Sequence, residues 1–189
     1  MKNPVEKLVM HHDKRSFVCL SSFNNATGEN RTAELAARLR QMNLNSGRVG
    51  LARQQPDWDV IDQVIVGFGC YKGEREDSLL VTFSEDSDQL HLVTIQVLVE
   101  IAREFGQESI FVWQAGVGGS LHYCDPSRAI GTPEYIGSKL LTGMKALKQD
   151  FYSYFLGVCF SCVDKATYEA AHADYLRTIC EADNPELAV

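Results

Sequence analysis

Runs of apolar residues, and the spacing at which they return, predict most of the elements of this chain. "SFVCLSSF" (16–23) has strand character, and the Asn- and Gly-rich "NNATGEN" after it is a turn. In "RTAELAARLRQM" (31–42) Leu35, Leu39 and Met42 recur on one helical face, with Glu34 and Arg38 set to pair at i,i+4. Asn30 or Thr27 can cap its open N–H groups, and "NLNSGR" stops it. "RVGLA" (48–52) and "VIVGF" (64–68) read as short strands around the loop "RQQPDWD", and "SLLVTF" (78–83) as a further strand. A helix follows over 89–105, started by Asp86 or Asp88. Leu90, Val93, Val97, Ile101 and Phe105 repeat at helical spacing, and Leu92, Ile95, Val99 and Ala102 widen the stripe. So apolar a helix is expected to be buried nearly all round, against a core and a subunit contact together.

"SIFVWQ" (109–114), the turn "AGVGG" and "SLHYC" (120–124) predict a hairpin. The Gly-rich turn opens onto a strand, whereas a phosphate cradle opens onto a helix. Residues 126–150 carry no clear period. "FYSYFLGVCF" (151–160) reads as one strand, "KATYEAAHADYLRTIC" (165–180) as a helix, and the tail as frayed. The order through Gln114 is β-α-β-β-α-β, which predicts an α+β fold. The expected form is a ferredoxin-like split βαβ antiparallel sheet with both helices on one face, an added hairpin strand and a C-terminal strand and helix extension. The expected organisation is a polar, mobile arm over 1–15 and a single domain over 16–189, with 126–189 its extension.

Charge narrows the partners. Eighteen Lys and Arg against 25 Asp and Glu leave a net charge of −7, which argues against a nucleic-acid groove. The polar start shows no secretory signal, and the longest apolar stretch is too short to span a membrane, so a cytoplasmic protein is expected. Of the six cysteines, Cys159 and Cys162 have CxxC spacing, yet in a strand they fall on opposite faces and read as core thiols. None of the five histidines stands at metal-ligand spacing with another His or Cys, so no metal or cofactor is expected. Ser21–Ser22 has no nucleophile elbow around it, and no histidine is evidently placed to serve a Ser or Cys hydrolase.

Two acidic spots remain: Tyr71, Glu74, Glu76 and Asp77 ahead of the strand at 78–83, and Gln107–Glu108 at the turn after the second helix. On composition alone, solvated loop charge is the favoured reading of both. They lie at one end of the sheet only if the strands that follow them run parallel.

Four stretches carry a resemblance: "FVCLSSFNN", "ENRTAELAARLR", "GCYKGEREDSLLV", and "IAREFGQESIFVW" with "GGSLHY". Over residues 16–123 the chain resembles the phage-encoded S-adenosylmethionine lyases, long called SAM hydrolases. The resemblance implies a ferredoxin-like subunit in a homotrimer, with active sites at subunit contacts. The implied reaction turns S-adenosylmethionine into 5′-methylthioadenosine and homoserine lactone, depleting the methyl donor against host restriction–modification. By the same resemblance Glu108 accepts the ribose diol and Gln107 helps hold the nucleoside. Glu76 faces the methionyl end beside Tyr71, Glu74 competes with Glu76 for that role, and Ser22 and Phe23 line the pocket.

The chemistry needs few groups. The sulfonium makes a neutral thioether leaving group, and the substrate's own carboxylate can close a five-membered ring at its γ-carbon. Positioning alone can supply roughly 7–11 kcal/mol in ideal intramolecular geometry. Two alternatives stand beside this reading: hydrolysis giving homoserine directly, and, from the apolar second helix and the scarcity of conventional catalytic constellations, a non-catalytic protein that inhibits a host enzyme.

Overall fold

The computed structural model describes residues 3–21, 23–24, 29–48, 61–71, 73–84, 89–125 and 133–183. Its helices are α1 (Pro4–Met10), α2 (Thr32–Arg48), α3 (Leu92–Glu104), α4 (Met144–Leu147) and α5 (Lys165–Asp183). The strands are β1 (Phe17–Ser21), β2 (Phe23–Asn24), β3 (Glu29–Asn30), β4 (Ile61–Tyr71), β5 (Glu74–Phe83) and β6 (Ser109–Gln114). They continue with β7 (Gly118–Tyr123), β8 (Glu134–Gly137), β9 (Lys139–Thr142), β10 (Phe151–Phe155) and β11 (Val158–Val163).

Among the described residues nine strands form one antiparallel sheet in the order β8-β7-β6-β1-β5-β4-β10-β11-β9, and β2 pairs separately with β3. In its middle, β6-β1-β5-β4, α2 connects β1 to β4 and α3 connects β5 to β6. The two ends of the sheet nearly meet. Only Ser138 separates β8 from β9, and the Cys162 thiol lies 3.5 Å from the Gly137 carbonyl across the seam between β11 and β8. The fold is α+β, with an almost closed, barrel-like sheet.

Alternation along the strands builds two cores. Val18 and Leu20 of β1, with Leu79 and Val81 of β5, face outward beneath Leu35 and Leu39 of α2 and Leu98 and Ile101 of α3. Phe17, Leu80, Trp113, Phe155 and Phe160 point inward and fill the barrel. Each such burial contributes about 1.5–3 kcal/mol. A third cluster packs Leu141, Ala146, Cys159 and Val163 beneath Tyr168 and Ala171 of α5.

Several expectations change. Within the expected arm, Pro4–Met10 form α1. Asn3 caps it by accepting the Val5 N–H at 2.9 Å, and Val5, Leu8 and Val9 are buried in the inner core. Helix α1 thereby closes one end of the barrel, where the Trp113 indole also donates to the His12 carbonyl at 2.7 Å. Helix α2 runs through "NLNSGR" to Arg48, because those residues do not stop a helix whose apolar stripe is already docked. Glu34 is held by Arg31 at 2.7 Å, and Arg38 lies 3.8 Å from Glu104 of α3.

The strand expected at 64–68 is the middle of the longer β4, and the one expected at 48–52 lies outside the described residues, as do Thr27, Asp86 and Asp88. The acidic stretch 74–77 belongs to β5 rather than to a loop. "FYSYFLGVCF" is two strands, folded at Leu156 (φ 47) and Gly157 (φ 83). The C-terminal extension is no appendage, since β10 pairs with β4 and β11 with β9. On α3, Leu92 and Val93 are exposed, so the helix is not buried all round in the single chain. No helix among the described residues is long and apolar enough to cross a membrane.

Candidate functional site

The candidate residues gather where β1 leaves the sheet, α2 begins and α3 ends. Asn30 organises the first corner. Its Oδ1 accepts the Thr32 N–H at 3.0 Å and the Thr32 hydroxyl at 2.5 Å, capping α2 as expected. Its Nδ2 donates to Asp77 Oδ2 at 2.5 Å, tying the cap to β5. The Arg31 guanidinium lies 4.4 Å over the Phe105 ring, so the start of α2 touches the end of α3.

That end of α3 is a Schellman turn. Phe105 is its C-cap, and Gly106 at φ 72 reverses the chain in a conformation side chains disfavour. The Gly106 N–H donates to the Arg103 carbonyl at 2.9 Å, and the Gln107 N–H to that of Ala102 at 3.0 Å. Gln107 is thus a buried amide locked in the corner, and Glu108 an exposed carboxylate at the start of β6. The Glu108 carbonyl accepts the Cys124 N–H at 2.8 Å, which fixes its backbone against the strand next to β6.

The other acids stand on β5. Leu79 and Val81 face outward, and Leu80 inward. Counting back, Glu74, Glu76 and Ser78 take the inner side, at the open rim of the barrel, while Arg75 and Asp77 take the outer side. The Arg75 guanidinium 3.9 Å over Phe68 and the Asn30–Asp77 bond both agree with that assignment. Glu76 is half-buried opposite Gly69, and Glu74 is exposed opposite Tyr71 at the hairpin tip. The Ser78 hydroxyl donates to the Glu76 carbonyl at 3.4 Å, and that of Ser21 to the Asp77 carbonyl at 3.3 Å.

Strands β5 and β6 are both antiparallel to β1, hence parallel to each other. Ser21 pairs with Ser78, and Cys19 with Phe111, so Glu76 and Glu108 lie at the same end of the sheet, Glu76 on its inner side and Glu108, in step with Ile110 and Val112, toward its outer side. β1 lies between their strands, which puts the two backbones about 10 Å apart. Tyr71, Glu74 and Glu76 are brought together at one hairpin. Ser22 lies outside the described residues, and of Phe23 and Tyr71 only the backbone is described.

On the outer side of this end, a groove of about 670 Å³ runs between α2 and strands β4 and β5, and Asp77 lines it. Asp77 was one acid among four in the sequence, without a role of its own. Its signal is the odd–even alternation of β5, readable only once the strand is known to start at Glu74.

Four of the thiols are held protonated by their surroundings. Burial pushes Cys19 and Cys162 up to about 12, and Cys124 and Cys159 up to about 11. Cys159 and Cys162 do fall on opposite faces. Among the described residues no three of His, Cys, Asp and Glu are grouped to hold a metal ion. No protein-family model matches the chain, and no curated protein matches it at a significant level.

Proposed function

We propose that the chain is an S-adenosylmethionine-degrading lyase that releases 5′-methylthioadenosine and L-homoserine lactone. The observation that carries the proposal is the common end of the sheet at which Glu76 and the Gln107–Glu108 corner open, one on each side of β1. These are the two motifs most specific to the resemblance. In this reading Glu108, exposed on a fixed backbone, accepts the ribose diol, and buried Gln107 holds the nucleoside. Glu76 faces the methionyl end with Tyr71 beside it. Glu74, at the exposed tip of the same hairpin, is the second choice, and Ser22 and Phe23 line the pocket.

The chain's part is positioning. A substrate carboxylate oxygen bonds to the γ-carbon, the carbon–sulfur bond breaks, and its electron pair stays on sulfur as the neutral thioether leaves. Protein carboxylates hold the cationic substrate from the side without proton transfer at sulfur. Within the same proposal, the β6-β1-β5-β4 order with α2 and α3 as crossovers is the split βαβ arrangement, extended by five strands. The exposed Leu92 and Val93 of α3 are what a homotrimer contact would cover.

The test is incubation of pure protein with S-adenosylmethionine and chromatographic detection of methylthioadenosine. Glu76→Gln and Glu108→Gln are each expected to lower turnover at least tenfold, and wild-type rates in both variants would sink the assignment. Early trapping of lactone, with solvent-oxygen labelling, separates lyase from hydrolase action. Absence of methylthioadenosine leaves the inhibitory reading.

A further inference from the structure

The groove on the outer face of β5 is separate from the rim that carries Glu74 and Glu76, because neighbouring residues of a strand project to opposite sides. One wall is a single stripe of α2, from Thr32 and Ala33 through Ala36 to Arg40. The other is Val66 of β4 with Asp77 of β5, and Asn30 closes the end.

Its polar groups are segregated. Asp77 sits at the start of α2, its carboxylate oriented by Asn30 at 2.5 Å. Arg40 lies two turns along, about 12 Å by helical rise. Among the described residues no carboxylate is within ion-pair distance of Arg40, and no hydrogen bond engages it. Between them the walls are small and apolar, and Val66 is 53% exposed although it belongs to a central strand. Ala33 and Ala36 allow a ligand body to approach the helix closely. The groove is shallow and open to solvent along its length, with about 670 Å³ of space.

We propose that this groove binds an elongated small molecule with a hydrogen-bond-donating head at Asp77 and an anionic tail at Arg40. The head is a hydroxyl or ammonium group, which a carboxylate oriented by Asn30 accepts. The tail is a carboxylate or phosphate, whose geometry the planar guanidinium matches with two parallel hydrogen bonds. The body between them covers Val66 and Ala33, which are exposed, over the buried Ala36. Two charges of opposite sign at opposite ends fix the ligand's direction in the groove. Nothing in this depends on cleavage of S-adenosylmethionine.

Two probes separate the sources of that chemistry: adenosine 5′-monophosphate, with hydroxyl head and phosphate tail, and 6-aminohexanoate, with ammonium head and carboxylate tail. Each is titrated into the full chain and followed by amide-shift mapping. Saturable shifts confined to Thr32–Arg40, Val66 and Asp77 are expected with at least one probe. Arg40→Gln and Asp77→Asn should each weaken that binding at least tenfold while leaving the remaining amide spectrum unchanged. Binding by one probe alone identifies its head and tail as the preferred pair. No saturable shift with either probe overturns the proposal, as do shifts mapping elsewhere or affinities unchanged in both variants.

Discussion

His122 of β7 is nine-tenths buried and lies 3.1 Å from the Ser120 hydroxyl, two residues away on the same face of the strand. The sequence showed no Ser–His pair because the i,i+2 contact counts only once both residues are known to share a strand. Burial lowers the pKa of His122, so the folded chain binds its proton less readily than the unfolded chain. The stability this contributes is present above the ordinary value of 6.5 and is lost as pH falls through the depressed folded value. His122→Asn is therefore expected to flatten the fall in stability as pH drops below about 6.5. Urea midpoints across that window measure it, and parallel curves for variant and wild type would refute the assignment. Neighbours on β5 make the same point: Glu76 and Asp77 looked equivalent as a run of acids, and alternation sends them to opposite sides of the sheet.

Among elements, the sheet and helices around the two acidic motifs were readable because their periods are local. Strand β1, helices α2 and α3, and the β6–β7 hairpin all follow from the apolar spacing, and Gly106 marks the end of α3 by itself. The β10–β11 hairpin was missed for a specific reason. A two-residue turn with positive φ at both positions normally carries Asn, Asp or Gly first, and here Leu156 sits at φ 47. The turn is held from outside, where the Asn3 amide donates to the Leu156 carbonyl at 2.6 Å. A leucine in that region costs about 1–2 kcal/mol, and this one is 52% exposed, so it returns little by burial. Leu156→Asn should raise stability by up to about 1 kcal/mol in urea unfolding. A clear loss would show that the side chain has a packing role. Helix α1 escaped notice because seven residues give too short a period to separate a plug from a polar arm.

At the scale of the whole molecule, closure of the sheet depends on a seam that neither of its partners announces. A Cβ on Gly137 would fall 2.1 Å from the Val163 carbonyl oxygen, so β8 and β11 approach this closely only with glycine there. Gly137→Ala is expected to destabilise the chain and raise hydrogen exchange across β8 and β9, while β1, β5 and β6 stay protected. Uniform loss of protection would mean that the seam and the central strands unfold as one unit. The sequence by itself determined strand β1, helices α2 and α3, the β6–β7 hairpin and the two acidic motifs, because helix and strand periods and the glycine stop after α3 are encoded within a few residues. Only the tertiary structure decided which side of β5 each acid takes, that Glu76 and Glu108 open at one end, and that α1 and the last strands almost close the sheet into a barrel. Those outcomes rest on strand register and on partners distant in sequence, and no local pattern carries either.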